Sequence, residues 1–87
     1  MRYRVAWVRA AEGDLADLWL DPSSRQAVGN AANEIDRRLQ DNPEHEGESR
    51  PLGRRILFVA PLAVTFRVYP DDRMVRVLEV WRFRMRS

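Results

Sequence analysis

The spacing of apolar residues changes along this 87-residue chain, and the change restricts its fold more than any other feature. Residues 10–20 and 22–41 carry apolar residues at helical spacing, which places them on one face of each helix. The first face is formed by Ala11, Leu15, Leu18 and Trp19, and the second by Val28, Ala31, Ala32, Ile35 and Leu39. Residues 3–8, 54–59, 63–69 and 74–83 are instead strand-like.

The order of these segments predicts one α+β domain over residues 1–87. A strand is followed by two antiparallel helices and then by a three-strand antiparallel meander, with both helices packed on one face of the sheet. The turns Pro61-Leu62 and Pro70-Asp71-Asp72 separate the last three strands, and residues 42–53 are a polar loop. The alternation slips near Val77-Leu78, which indicates either a bulge or a central strand covered on both faces.

Proline and capping residues mark the ends of the second helix. Asp21 is a candidate N-cap with Pro22 at the first helical position, and Ser23 with Gln26 forms an alternative capping box. The helix is expected to end before Asn42-Pro43, because a residue that precedes proline avoids helical angles.

Composition excludes several classes of protein. The chain has no cysteine and one histidine, so we expect no disulfide framework, no metal site and no cofactor. The longest apolar run, residues 56–64, is interrupted by Pro61 and is shorter than the roughly 18–20 residues that span a membrane. No signal-peptide core follows the N-terminus, so we expect a cytoplasmic protein that does not interact with membranes.

Charge is divided unevenly, and all 15 basic residues are arginines. Residues 1–48 carry six arginines and ten acids, a net charge of −4, whereas residues 49–87 carry nine arginines and three acids, a net charge of +6. A cationic half attracts anions, nucleic acid above all, and the planar arginine fork binds two phosphate oxygens at once. The alternative interpretation is a solvated face whose arginine content reflects genome composition.

The candidate site is the sheet face that points away from the helices. Its basic residues are Arg50, Arg54, Arg55, Arg67, Arg76, Arg82, Arg84 and Arg86, with Tyr69, Trp81 and Phe83 as neighbouring aromatics. Arginines and aromatics on an open sheet suit single-stranded RNA, whose phosphates bind guanidinium groups and whose bases stack. The alternative is pairing of Arg67 or Arg76 with Glu79, Asp71 or Asp72.

Three further residue types have simpler interpretations. His45 lies in an acidic loop and is expected to be solvated, without a metal. Glu79 is either a general base or an outward residue paired across strands. Trp7, Trp19 and Trp81 are expected in the core.

A set of loose motifs in a fixed order covers nearly the whole chain. They are Tyr3-Arg4-Val5-Ala6-Trp7, Ala10-Ala11-Glu12-x-Asp14-Leu15-x-x-Leu18, Ile35-Asp36-Arg37-x-Leu39-x-x-x-Pro43, Gly53-Arg54-Arg55-Ile56, Val64-Thr65-Phe66-Arg67-Val68 and Val75-Arg76-Val77-Leu78-Glu79-Val80-Trp81. In this order and spacing the chain resembles the RelE/ParE toxin superfamily of bacterial type II toxin–antitoxin systems.

The resemblance implies a candidate catalytic set on the last strands. Arg54 and Arg55 match a basic pair at the start of the second strand of the family, Arg82 matches a basic residue that ends the last strand, and Arg84 lies where some relatives have a catalytic His or Tyr. Arg50, Arg67, Arg76 and Tyr69 are the candidate RNA-binding residues. Two departures are Ala63, where many active relatives have an arginine, and the absence of a final segment that is often a helix.

Three functions are compatible with the resemblance. The first is a RelE-like, ribosome-dependent mRNA endoribonuclease in which arginines bind phosphates and stabilise the transition state. The second is a ParE-like inhibitor of DNA gyrase. The third is a member that only binds a protein partner, with the antitoxin in an exposed groove between helices and sheet. All three imply a cognate antitoxin as partner, and the first also implies mRNA and the ribosome.

Overall fold

The computed structural model describes residues 2–83 as two helices packed on one face of a five-stranded mixed sheet. The elements are β1 (Arg4–Trp7), α1 (Arg9–Trp19), α2 (Arg25–Asp41), β2 (Glu48–Arg50), β3 (Arg54–Val59), β4 (Leu62–Tyr69) and β5 (Met74–Arg82), with short 3-10 turns at Pro43–His45, Pro51–Gly53 and Pro70–Asp72. The strand order is β1-β5-β4-β3-β2. β1 is parallel to β5, and the other neighbouring strands are antiparallel. The predicted α+β architecture is confirmed.

One strand was not expected from the sequence. Residues 48–50, predicted as part of a polar loop, form β2 and pair with the start of β3. All three residues of β2 are exposed, so no apolar alternation marks them as a strand. Gly47 precedes β2 with φ 68°, and a Cβ at this position would lie 2.1 Å from the carbonyl oxygen of Ile56. The close approach of the chain before β2 to β3 therefore requires glycine there.

The core lies between the helices and the sheet. The helix stripes predicted from sequence supply much of it: Ala11, Val28, Ala31, Ile35 and Leu39 are at most 3% exposed. The opposing sheet face is supplied by Leu57, Leu62, Val64, Phe66, Val75, Val77 and Val80. Burying these side chains is the main source of stability in a domain of this size.

The second helix begins later than the sequence predicts. It starts at Arg25 with Ser24 at the N-cap, and neither predicted cap makes a side-chain bond to it. The Asp21 carboxylate instead accepts bonds from the backbone nitrogen and the hydroxyl of Ser23, at 3.1 and 2.8 Å. Asp21 thus closes a local turn, which competes with capping. The helix ends at Asp41, as the following Asn42-Pro43 predicts.

β5 contains a bulge, which is one of the two interpretations of the slipped alternation near Val77-Leu78. Thr65 pairs with Glu79 and Phe66 pairs with Val77, which leaves Leu78 as the extra residue. The bulge reverses the facing of every later residue in the strand. Val75, Val77 and Val80 all point to the core for this reason.

Candidate nucleic-acid interface

Strand register brings four arginines into one line across the open face, the face of the sheet opposite the helices. Arg50 lies opposite Arg54, and Arg67 lies opposite Arg76. The β3–β4 register, extended by one position, places Arg54 opposite Arg67. We call Arg50, Arg54, Arg67 and Arg76 the arginine row. At about 4.8 Å between neighbouring strands, the row is about 14 Å long.

The arginine row is unfavourable for the sheet itself. Like charges that face each other across strands are destabilising. Among the ion pairs within residues 2–83, one includes a member of the row, Arg50–Glu48 at 3.0 Å, and both partners are exposed. The alternative predicted from sequence, in which Arg67 or Arg76 pairs with a nearby acid, is not found among these ion pairs. Four adjacent guanidinium groups instead suit an extended anion such as a phosphodiester chain.

Two local contacts orient the row. Arg67 is less exposed than the other three, and its guanidinium donates to the carbonyl of Leu52. Leu52 and Gly53 both have left-handed backbone angles, φ 67° and 73°, and form the turn that closes over Arg67. Arg76 lies over the ring of Tyr69 at 5.6 Å from its centroid, a cation–π distance. The predicted RNA-binding residues Arg50, Arg67, Arg76 and Tyr69 thus share one face with Arg54.

The next line across the open face is neutral in the centre and acidic at its margins. Ile56 and Thr65 pair across β3 and β4, while Glu48 lies on β2 and Glu79 on β5. Glu79 is exposed and opposite Thr65, so it points outward as its sequence position indicated. These two carboxylates are hydrogen-bond acceptors on the same face as the arginine row.

The expectation that Arg55 also lies on the open face is wrong. Consecutive strand residues point to opposite faces, so Arg54 and Arg55 cannot share one. Arg55 is opposite Phe66 on the helix side. Its Nε and Nη2 donate to the carbonyls of Glu46 and Gly47 at 2.9 and 3.2 Å. The guanidinium of Arg55 therefore holds the segment that leads into β2.

Arg82 is also on the helix side, contrary to expectation. The bulge reverses its facing, and it lies opposite the buried Leu62. Its Nη1 donates to the Ser24 hydroxyl at 3.1 Å and is 3.5 Å from the Asp21 carboxylate. Hydrogen bonds from Ser23, with a smaller contribution from the Arg82 charge, lower the pKa of Asp21. Arg82 thus ties the end of β5 to the α1–α2 connection.

The predicted catalytic set is not brought together. Arg54 lies at the start of β3 beside the β2 edge, whereas Arg82 lies on the opposite face, at the end of the sheet that contains the β3–β4 turn. Arg84 lies outside the described residues. The structure unites Arg54 with the predicted RNA-binding residues rather than with Arg55 and Arg82.

Two of the three tryptophans expected in the core are at the surface. Trp19 is 45% exposed at the end of α1, and Trp81 is 37% exposed on the open face. Trp7 is half-buried and donates through Nε1 to the Asp36 carboxylate at 2.7 Å. Phe58, 47% exposed on the open face, was not singled out from sequence. Its position two residues after Ile56 and four after Arg54 was the available signal.

The two helices form a groove between them. It has a volume of about 450 Å³ and is lined by Leu15, Trp19, Val28 and Ala32, with Asp36 at its rim. His45 lies away from this groove, and its ring Nδ1 is 2.9 Å from the side-chain oxygen of Asn42. Within residues 2–83, no helix is long and apolar enough to cross a membrane.

The fold is shared with chains of solved toxin–antitoxin structures, although the sequence matches no family model and no curated protein. The chain is similar to the RelBE2 toxin–antitoxin complex from Mycobacterium tuberculosis, with a TM-score of 0.76 and 19% identity over 95% of this chain and 93% of that one. It is similar to the chromosomal ParDE system from P. aeruginosa, with a TM-score of 0.74 and 22% identity over 95% and 98%. It is also similar to the isolated E. coli RelE toxin, with a TM-score of 0.60 and 11% identity over 98% and 88%. The chain therefore has the RelE/ParE toxin fold.

Proposed function

We propose that the chain is the toxin of a type II toxin–antitoxin pair and that it cleaves RNA bound along the arginine row. The row carries this proposal, because four facing arginines destabilise a sheet and are matched by the regular charge of a phosphodiester chain. The fold shared with RelE supports the same assignment. A ribosome-dependent cleavage of mRNA, as predicted from the resemblance, is the specific activity proposed.

In the proposed reaction the RNA supplies its own nucleophile. The ribose 2′-hydroxyl attacks the adjacent phosphorus, the bond from phosphorus to the 5′-oxygen breaks, and the leaving oxygen takes a proton. Guanidinium groups stabilise the charge that develops on the phosphoryl oxygens. Arg54 is the member of the predicted catalytic set that lies on the arginine row, so this role is assigned to it first. Arginine cannot accept the 2′ proton at neutral pH, so Glu48, Glu79 or the ribosome must accept it.

An in vitro translation reaction tests this proposal. The wild-type chain is expected to cleave mRNA in the ribosomal A site, and Arg54→Ala is expected to abolish cleavage while leaving the fold intact, because exposed arginines contribute little to stability. Arg37→Ala is the matched control, since Arg37 is an exposed arginine on α2. Full cleavage by Arg54→Ala would contradict the assignment of the arginine row.

Of the catalytic roles predicted for Arg55, Arg82 and Arg84, that of Arg82 is tested in the same reaction. Arg82→Ala removes a guanidinium that bonds the α1–α2 connection. Loss of cleavage with native circular dichroism would support catalysis by Arg82. Unchanged cleavage would assign Arg82 to holding that connection.

A ParE-like action on DNA gyrase is the second candidate. It is favoured by the similarity to the ParDE system, whose TM-score is nearly that of RelBE2. The resemblance places an arginine of many active relatives at the position of Ala63, which is fully buried. The lack of that arginine favours an action that does not require RNA cleavage. Inhibited supercoiling together with intact mRNA would make gyrase the target.

An antitoxin is the protein partner that we propose for either activity. The solved complexes with this fold are toxin–antitoxin complexes. The groove between α1 and α2 exposes apolar surface, including Trp19, beside the acidic Glu12 and Asp36. A partner helix with apolar residues and a basic flank fits this surface.

A further inference from the structure

The turn between β2 and β3 has a backbone conformation that its sequence does not favour. It is formed by Pro51, Leu52 and Gly53, and Leu52 has φ 67° and ψ 30°, in the left-handed region. After a turn proline this conformation is usually adopted by glycine or asparagine, because the backbone crowds the Cβ of other residues. The Leu52 side chain is also 79% exposed, so little apolar burial offsets the crowding. A contact outside the turn must therefore hold Leu52 in this shape.

That contact is with Arg67 on β4. The Nη2 of Arg67 donates to the Leu52 carbonyl. The backbone of Gly53 lies against the same guanidinium, since a Cβ at Gly53 would be 3.9 Å from the Nε of Arg67 and 4.0 Å from its Nη2. The left-handed conformation of the turn thus brings one carbonyl and one glycine onto a single edge of the Arg67 guanidinium.

The covered edge of Arg67 is only half satisfied by the turn. Its Nε is buried and has no hydrogen-bond partner among residues 2–83. A buried donor without a partner is unfavourable, because it has lost water and gained nothing in return. Nε and Nη2 together form an edge with which a guanidinium binds two oxygens of an anion side by side. The turn therefore covers the anion-binding edge of Arg67 without replacing the bonds that an anion would make.

We propose that the Pro51–Gly53 turn is a latch with a closed and an open state, and that only the open state frees the Nε–Nη2 edge of Arg67. The left-handed Leu52 and the unpartnered Nε both disfavour the closed state, and both are relieved when the turn opens. For its effect on activity, this inference rests on the proposed function. Opening completes the arginine row between Arg54 and Arg76, so an anion on the row selects the open state.

Substitutions in the turn should shift the latch in opposite directions. Leu52→Gly removes the crowded Cβ and favours the closed state, whereas Gly53→Ala adds a Cβ at φ 73° and favours the open state. Each should change the open population about 5- to 30-fold, the range for one residue in the left-handed region. Leu52→Ala keeps the Cβ and is the control at the same position. Leu20→Gly controls for the loss of an exposed leucine, because Leu20 is 64% exposed and has an ordinary φ of −68°.

Solvent exchange of the Arg67 Nε–H, followed by heteronuclear NMR of the full chain, measures the open population without any ligand. In the wild type we expect slower exchange at Arg67 than at the exposed Arg54. Leu52→Gly should slow the exchange at Arg67 about 5- to 30-fold, and Gly53→Ala should accelerate it by a similar factor. Leu52→Ala and Leu20→Gly should leave it unchanged. Cleavage in the translation reaction should fall in Leu52→Gly and rise in Gly53→Ala, because the binding-competent fraction changes.

Equal exchange rates at Arg67 and Arg54 in the wild type would overturn the latch, because the covered edge would then be open to solvent. Slower exchange in Leu52→Gly with unchanged cleavage would show that the latch does not control activity, and the proposed function would stand without it. The expected exchange rates with no cleavage by any variant would support the two states of the turn and contradict the proposed function instead. Leu52→Gly alone decides between these results if Gly53→Ala fails to fold.

Discussion

Replacing the central charge of the arginine row should stabilise the protein while removing its activity. Arg54 has two like-charged neighbours across the sheet, Arg50 and Arg67. Unit charges about 5 Å apart, the spacing of neighbouring strands, repel by about 0.8 kcal/mol per pair in water, and the Arg50–Glu48 ion pair offsets part of the repulsion from Arg50. At 10 mM salt the Debye length is about 30 Å, so most of this repulsion persists. At 1 M salt the Debye length is about 3 Å, so the repulsion is largely screened. Arg54→Gln should therefore raise the free energy of unfolding by about 1 kcal/mol at 10 mM salt and hardly at all at 1 M.

Thermal unfolding followed by circular dichroism measures this effect. A gain of about 1 kcal/mol corresponds to a rise in Tm of about 4–8 °C for a domain of this size. Arg37→Gln is the control with the same change in net charge. It removes the ion pair of Arg37 with Glu34, whose atoms are 2.5 Å apart, so it should lower Tm rather than raise it.

Charge repulsion predicts both the sign and the salt dependence of the change in Tm. A lower Tm for Arg54→Gln at low salt would show that the row is not under repulsion. A rise that is unchanged at 1 M salt would assign the gain to something other than charge. Retained toxicity in Arg54→Gln would separate the row from function even if the stability result held.

Four other substitutions test separate parts of the structure. Gly47→Ala should destabilise the fold by at least 1 kcal/mol in urea denaturation, because its Cβ would meet backbone at 2.1 Å, whereas Gly13→Ala, with open space around it, should stabilise by about 0.5–1 kcal/mol. Equal effects would contradict the β2–β3 geometry. Trp7→Phe should cost about 1–2 kcal/mol by leaving the Asp36 carboxylate without its indole donor, and no change in Tm would argue against that bond. Because folding lowers the pKa of Asp21, the ionised carboxylate stabilises the fold at pH values above its ordinary pKa of 3.8. This stabilisation is lost as the pH falls through the lower pKa of the folded state. Asp21→Asn should therefore reduce the part of the acid-induced loss of stability that occurs below the ordinary pKa of 3.8, and an unchanged dependence of Tm on pH would contradict this role of Asp21.

The spacing of apolar residues along the chain was sufficient to predict most of the secondary structure. The stripes that include Val28, Ile35 and Leu39 are buried as expected, because a helix with one apolar face has one stable way to pack. β2 was not predictable in this way, since the residues of a short edge strand are all exposed. Its pairing follows from register with β3 rather than from its own composition.

The facing of the arginines was harder to predict than the strands that carry them. A single bulge at Leu78 moves Arg82 from the open face to the helix side, although the sequence shows only a slipped alternation there. The adjacent Arg54 and Arg55 could have been separated from sequence, because neighbouring strand residues point to opposite faces. Alignment of arginines from four strands into one row depends on register, which the sequence of any one strand does not specify.

The salt dependence of RNA affinity tests the central claim most directly. If the four arginines of the row contact phosphates of a single-stranded oligoribonucleotide, log K should fall with log salt at a slope of about −2.8, at ~0.7 per contact. Arg54→Gln should reduce the slope to about −2.1, and Arg37→Gln should leave it unchanged. A wild-type slope near zero, or equal slopes for Arg54→Gln and the wild type, would contradict the arginine row as the RNA-binding surface.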